Sequence, residues 1–540
     1  MRTLFKKSLT GISIALMMLA VITTSSYGQF RKDDPNSSTM KYSTLMQYLK
    51  YFYVDTINES KLVEKAIVET LKELDPHSAY ISKKDVMKAN EELVGNFEGI
   101  GVQFEILQDT ITIVHPIVGG PSEQLGILSG DKIIKIETEN VTGKKITNQF
   151  VFDHLRGKKG TKVTISIYRR GNKDLIDYTI TRDKIPINSI DAAFVIAPGV
   201  GYINLTRFSS TSMQEFDEAI AKMKNQGMKS LILDLRNNGG GYLGTAIELA
   251  DEFLSPGKLI VYTEGRTSPR EDFKSTIRGN FKTGKVVVMI NENSASASEI
   301  VSGAVQDWDR GIILGRRSFG KGLVQRPFQL PDSSQVRITT ARYHTPSGRC
   351  IQKPYSEGAD KYYDDFAIRQ KHGEFVNADS IKFPDSLKCF TSQHRVVYGG
   401  GGIMPDVFTP WDSTPFTTYY RDLLRKDVIR AFIGDFVDKN RSNLLRDYPD
   451  FESFNKNFLV DDHFMNNFFE LAEKKEVKKN EKEYTISESL IKAQLKALIS
   501  QKLWDQNAFY KIINQADLEI QKAIEVINND GIFKKLKITY

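Results

Sequence analysis

Val286-Val287-Val288-Met289-Ile290-Asn291-Glu292-Asn293-Ser294-Ala295-Ser296-Ala297-Ser298-Glu299-Ile300 is the stretch on which the fold of this chain is read. Five apolar residues form a strand-like run, small residues follow as a turn, and a helical pattern then extends to about Trp308. The same grammar recurs at Leu231-Ile232-Leu233-Asp234-Leu235, which precedes a glycine-rich turn and a second helical stretch. Repeated strand, turn and helix describe an α/β sheet with helices packed on it, spanning about Ile187 to Val407. A tight turn after a strand lifts a hydroxyl to the carboxyl edge of the sheet. It also places the next N–H groups at a helix N-terminus, where partial positive charge stabilises an oxyanion. A serine nucleophile fits that position, and so, on this peptide alone, does a serine N-cap.

Two further segments change that balance. Ser318-Phe319-Gly320-Lys321-Gly322-Leu323-Val324-Gln325 places a lysine between glycines at the start of a strand. A lysine serves as a base only when neutral, and burial achieves this by penalising the ammonium form. The segment lacks the spaced glycine and following Ser or Thr of a phosphate-binding loop. Asp234-Leu235-Arg236-Asn237-Asn238-Gly239-Gly240-Gly241 leaves backbone N–H groups unobstructed, as a second oxyanion donor requires, although most glycine triplets are simply tight turns.

Together these motifs resemble the C-terminal processing peptidases, also called tail-specific proteases. The resemblance implies that Ser296, rather than Ser294 or Ser298, is the nucleophile. Lys321, 25 residues further on, is then the base, and Gln325 positions that lysine. It implies oxyanion donors at Ala297 and in the glycine triplet, at Gly240. Leu74-Asp75-Pro76-His77-Ser78, Tyr343-His344-Thr345-Pro346-Ser347-Gly348-Arg349 and Gly402-Ile403-Met404-Pro405-Asp406 extend the likeness over about residues 40 to 410. The implied fold is a Clp protease/crotonase-like α/β core with an inserted β-rich PDZ domain, an N-terminal helical segment and a C-terminal helical region. The implied activity is that of a serine endopeptidase that captures exposed protein C-termini and cleaves through an acyl-enzyme, without a cofactor or metal. The reading from a different class is an inactive PDZ-bearing binding or scaffold protein. His344 is the best candidate for a Ser-His-Asp arrangement, but the family carries an aromatic residue there.

The expected domains are a signal peptide at 1–28, an N-terminal helical segment at 29–94, the PDZ domain at 95–185, the protease core at 186–410 and a helical region at 411–540. Arg2, Lys6 and Lys7 precede the apolar run Ile12 to Ile22, and Ser26 and Gly28 suit a cleavage site before Gln29. Export to the periplasm follows, with membrane association through this segment alone if it stays uncleaved. Apolar residues at Leu45, Leu49, Tyr53, Leu62, Ala66, Ile67, Leu71 and Leu74 recur at helical spacing up to Pro76. Short strand-like runs then follow from Gly95 to about Lys184. Within them Gly99-Ile100-Gly101-Val102 matches the loop with which PDZ domains receive a peptide carboxylate and add the peptide as a strand. Asp131 reads as a structural turn residue. Arg156 reads either as a solvated base or as a bridge between insert and core. The insert's place between the N-terminal helices and the catalytic core, on the path of a substrate, suggests a ligand-responsive gate.

A chain of 540 residues implies two to four domains, and 40% hydrophobic residues with 31 Phe and 22 Tyr supply packed cores. The net charge of +7 is scattered, and no zinc-finger spacing or RNA-binding aromatic signature accompanies it, so nucleic acid is not an expected partner. Oligomerisation, and a disulfide between Cys350 and Cys389, are left open by the sequence.

Overall fold

The central sheet follows directly from the two apolar runs. Ser230–Asp234 and Val286–Ile290 pair in parallel, flanked by Val200–Leu205 on one side and Ile312–Gly315 on the other. Ile190–Ala197 closes one edge antiparallel and Val407–Phe408 the other in parallel. The central strands are apolar on both faces because both faces are covered. Helices Ser212–Asn225, Leu243–Asp251 and Ala297–Asp307 pack one side through Phe216, Ile220, Leu249, Ile300 and Val301. This is a computed structural model, and it describes residues 35–540 except 108, 118, 144 and 145. The expected signal peptide therefore lies outside the described residues.

The opposite face is covered by the end of the chain. Helices Leu518–Asn528 and Asp530–Lys535 bury Ile520, Ala523, Val526, Ile527 and Phe533 against Tyr202, Ile232, Val287, Met289 and Leu314. The helical region expected at 411–540 thus completes the sheet's second layer, since an apolar sheet face must be buried by some element. Its preceding helices, from Thr418–Arg425 to Gln506–Ala516, enclose an aromatic-rich core around Phe432, Phe454, Phe464 and Phe468.

The chain divides into two units after Glu73. The first contains helices Pro35–Phe52 and Glu59–Lys72, the second capped by the Asn58 side chain, which accepts from Lys61 N–H at 3.0 Å. Residues 74–94, read from the sequence with these helices, belong to the second unit. There Ala79–Ile81 pairs with Gln335–His344, the strand that also joins Leu259–Gly265 and Leu323–Gln329 in a second sheet.

The β-rich insert is a sheet of Val102–Leu107, Thr110–Pro116, Lys132–Ile136, Lys162–Tyr168 and Ile176–Thr181. It closes over helix Asn148–Leu155 on a core of Ile111, Ile113, Ile133, Val151 and Ile165. Asp131 is buried and forms an ion pair with Arg169 at 2.6 Å, as befits a structural turn residue. Lys502 Nζ reaches Glu105 Oε1 at 2.9 Å, so the C-terminal helices also contact the insert. No helix among the described residues is long and apolar enough to cross a membrane. Cys350 and Cys389 are both free thiols.

Candidate active site

Ser296 sits between strand Val286–Ile290 and helix Ala297–Asp307 with φ +55° and ψ −112°. Positive φ is strained for a residue with a Cβ, by about 1–3 kcal/mol, and it persists only where the surroundings impose it. Here they do. Ser294 Oγ donates to Leu235 O at 2.8 Å and Ala295 N–H to Asn238 O at 3.0 Å, and Ser298 Oγ donates to the same Asn238 carbonyl at 2.9 Å. Ser294 and Ser298 thus brace the turn by donating to neighbouring carbonyls, whereas Ser296, the helix N-cap in a capping box with Glu299, donates its hydroxyl to no acceptor among the described residues. Among the described residues the Ala297 N–H, in the helix's first turn, donates to no acceptor.

Glu299 joins the serine turn to the lysine turn. Its fully buried carboxylate receives Ser296 N–H at 2.8 Å and Lys321 N–H at 2.9 Å on Oε2, with Gly320 N–H at 2.7 Å and Ser318 Oγ at 2.5 Å on Oε1. Burial raises its pKa above the ordinary value, against the pull of those four donors. Tyr343 adds a second tie, its hydroxyl donating to Ser296 O at 3.2 Å and to Lys321 O. Sequence reading passed over both residues because an acid in a helix's first turn and a strand tyrosine are commonplace locally. Only the fold shows what they receive.

Lys321 is in no ion pair among the described residues. Burial lowers its pKa from the ordinary 10.5, the Arg337 charge pushes the same way, and Glu299 and Asp75 oppose less strongly. Desolvation therefore moves this amine towards the neutral form that a base needs. Ser296 Oγ and Lys321 Nζ share no hydrogen bond here, a separation common before substrate binds.

The glycine loop lies against the serine. Gly240 has φ +103°, and a Cβ there would stand 2.8 Å from Ser296 Cβ and 3.0 Å from Ala297 N, so only glycine permits this approach. Its own N–H donates to Asn238 Oδ1 at 2.9 Å. Asn237 and Asn238 knit the loop to the serine turn, with Asn291 Nδ2 donating to Asn237 Oδ1 at 2.9 Å.

Gln325 lies on strand Leu323–Gln329, just beyond the lysine turn. Its amide donates to Thr339 Oγ1 at 3.2 Å and makes no hydrogen bond to Lys321. A register shift between Val324 and Gln325 leaves Gln325 directly opposite Thr339. Thr339 Oγ1 in turn donates to Asp75 Oδ1 at 3.1 Å. Burial opposes the charge of Asp75, but hydrogen bonds from Ser78, His77 and Thr339 outweigh it and hold its pKa below the ordinary value. His77, lowered to about 4 by burial and by the charges of Lys321 and Lys353, is neutral near pH 7 and bonds Tyr362 Oη at 2.9 Å. His344 instead stacks on Tyr262 at 4.6 Å, with Nδ1 on Gly348 O, and makes no contact with Ser296.

In the insert, Gly99, Ile100, Gly101 and Val102 lead into the edge strand Val102–Leu107, beside helix Asn148–Leu155. Ile100 O is bound by Ser122 N–H and Oγ, and Gly101 O accepts Ile117 N–H at 2.9 Å. Arg156 is not a solvated base, and its partner lies ahead of the insert rather than in the 186–410 core. It pairs with Glu91 on helix Val86–Val94 and lies over the rings of Phe97 and Phe152. From that helix Ala89 O and Asn90 Oδ1 each accept from Arg337 at 3.0 Å.

A strained serine between a parallel strand and a helix, beside a glycine loop and a half-buried lysine, defines a serine-type peptidase of α/β architecture. Residues 199–358 match Peptidase family S41, residues 99–180 a PDZ domain, and residues 419–505 a family of unknown function. The carboxy-terminal-processing protease of Bartonella bacilliformis is 35% identical over 322 residues, covering 58% of this chain and 72% of that relative. The carboxy-terminal processing protease CtpA of Bacillus subtilis is 33% identical over 343 residues, covering 63% of this chain and 72% of its own length. Among solved structures, the photosystem II D1 C-terminal processing protease matches at 25% identity and TM-score 0.36, over 70% of this chain and 88% of that one. The chain belongs to the carboxy-terminal processing protease family of S41 peptidases.

Proposed function

We propose that this chain is an endopeptidase in which Ser296 and Lys321 form a catalytic dyad acting through an acyl-enzyme. The observation that carries the reading is the sharing of Glu299 Oε2 by the Ser296 and Lys321 N–H groups, which holds nucleophile and base in one frame. Neutral Lys321 Nζ takes the Ser296 Oγ proton as Oγ bonds to the scissile carbonyl carbon, whose π electrons move onto oxygen. The Ala297 N–H and the Gly240 N–H receive that oxyanion, Gly240 by exchanging Asn238 Oδ1 for it. Collapse breaks the C–N bond, the Lys321 ammonium returns the proton to the departing amine, and an ester to Ser296 remains. Water, deprotonated by the same lysine, then hydrolyses the ester. Gln325 acts on this frame through Thr339 and Asp75. The loop Gly99 to Val102 is the receptor for substrate C-termini, and the basic and apolar residues 2–22 support export to the periplasm.

A fluorophosphonate probe is expected to label the parent at Ser296, mapped by mass spectrometry, and to leave Ser296→Ala unlabelled and without turnover of unfolded β-casein. Parent-level cleavage by Ser296→Ala would remove Ser296 from the mechanism. The Arg156–Glu91 bridge and the Arg337 contacts to the same helix support coupling of ligand in the insert to the catalytic strands. A disordered peptide ending in a free apolar carboxylate is therefore expected to be cut with higher kcat/KM than its amidated twin. Equal values for the pair would exclude carboxylate gating.

A further inference from the structure

The C-terminal helices do more than cover the sheet. Helix Leu518–Asn528 begins at Asp517, whose Oδ1 caps it by accepting Glu519 N–H at 2.9 Å and Ile520 N–H at 3.2 Å. The other oxygen, Oδ2, is 3.0 Å from Arg236 Nη1. Glu519 lies beside it and bridges two arginines, Oε2 taking Arg236 Nη1 at 3.0 Å and Oε1 taking Arg316 Nη1. Arg236 opens the glycine loop, four residues ahead of Gly240, and its guanidinium is also held by both Asp234 oxygens. Arg316 follows strand Ile312–Gly315 and leads into the lysine turn, and its Nε donates to Glu292 Oε2 of the serine turn at 2.8 Å. Four of these side chains are largely removed from solvent, at 15% exposure for Glu519, 15% for Arg236, 6% for Arg316 and 9% for Glu292, while Asp517 is more open at 28%.

One carboxylate from the last part of the chain therefore meets the rear of two of the segments that build the candidate site, and through Arg316 and Glu292 it is linked to the third, the serine turn. Asp517 and Glu519 also lie beyond each of the three segments that match known families. We propose that Glu519, assisted by Asp517, is a positioning residue for the peptidase reaction, registering the glycine loop against the serine and lysine turns through Arg236 and Arg316. This inference rests on the dyad reading above. A buried arginine aligned by a bidentate partner has few alternative placements, whereas one that loses its carboxylate keeps its charge and seeks another. Without Glu519, Arg236 keeps Asp234 and Asp517 but loses its tie to Arg316, so the loop carrying Gly240 is no longer registered against the lysine turn, and an oxyanion donor displaced by a fraction of an ångström stabilises the transition state poorly. Substrate contacts at the insert lie elsewhere, so the effect should fall on kcat rather than KM.

The test uses the full chain. Glu519→Gln keeps the shape but turns an NH2 group towards one guanidinium. It is expected to stay folded, to lose about tenfold to a hundredfold in kcat on β-casein well below its melting temperature, and to keep KM within about threefold. Val526→Ala, on the same helix but without polar contacts to the loops, serves as the stability control and should keep the parent's kcat despite a lower Tm. Asp517→Asn retains the helix cap and removes only the Arg236 pair, so it decides the matter should Glu519→Gln not fold, with an expected loss of about threefold to tenfold in kcat. Parent kcat in folded Glu519→Gln overturns the proposal, as does parent kcat in Asp517→Asn when that variant decides. An equal kcat loss in Val526→Ala overturns it too, by reducing the effect to stability. Fluorophosphonate labelling runs in parallel. A parent that is not labelled at Ser296 sinks the dyad reading and this inference with it, whereas a labelled parent beside a fully active Glu519→Gln sinks this inference alone.

Discussion

Lys321→Arg is expected to lose turnover by about a hundredfold to ten-thousandfold while remaining folded, because a guanidinium cannot release its proton to become the base. The backbone of residue 321 remains bound to Glu299 and Tyr343, so the turn should persist and the loss should report the side chain alone. Single-turnover acylation by a labelled substrate separates this step from later ones. Activity within about tenfold of the parent, on the order of 1.4 kcal/mol in barrier, would demote Lys321 to an electrostatic partner. The parent's rate should fall as pH drops through the lowered pKa of Lys321, since protonation removes the base. Stability carries the same sign. Between the lowered native pKa and the ordinary 10.5 the unfolded chain holds more protons than the native one, so this group's contribution rises with pH and is lost as pH falls. Lys321→Met should accordingly be inactive yet show a weaker pH dependence of its Tm over that window.

Glu299→Gln carries the second large expected effect, and it differs in kind. The carboxylate accepts four donors on two oxygens, whereas a glutamine offers one oxygen and turns an NH2 group against the other pair of donors. Two buried hydrogen bonds are lost whichever way the amide faces, for a cost of about 2–5 kcal/mol in unfolding free energy, measurable as a lower urea midpoint. Turnover should fall by about a hundredfold even well below that midpoint, because Ser296 and Lys321 no longer share a frame. A variant that unfolds at lower urea but keeps the parent's kcat would show that Glu299 supports the fold without aligning the dyad.

Neither Glu299 nor Glu519 stands out locally, and the contrast with Ser296 and Lys321 is instructive. Ser296 occupies a turn whose composition is unusual over a span of a few residues, and Lys321 stands between glycines where a solvated lysine has no need of them. Both are anomalies of short range, and short-range anomalies are legible in a sequence. Glu299 is an ordinary first-turn acid until its partners arrive from residues 318 to 321. Glu519 is further still from its arginines, 283 residues from Arg236 and 203 from Arg316. Gln325 shows the complementary case. Its spacing from the lysine says nothing of the route between them, and in the fold its amide bonds Thr339, which in turn bonds Asp75.

The same division holds for the architecture. By itself the sequence determined the strand-turn-helix elements of the core, the β-rich texture of the insert and the helical character of the chain's end, because periodicity and turn chemistry are properties of neighbouring residues. It could not say that the helix Leu518–Asn528 covers the second face of the central sheet, nor that Ala79–Ile81 is a strand of the second sheet rather than part of the N-terminal helices. An amphipathic pattern shows that a face must be buried without naming what buries it. Tertiary structure made that choice, and with it brought one carboxylate between the arginines of two loops, because complementary apolar faces and buried charges find their partners in space rather than along the chain.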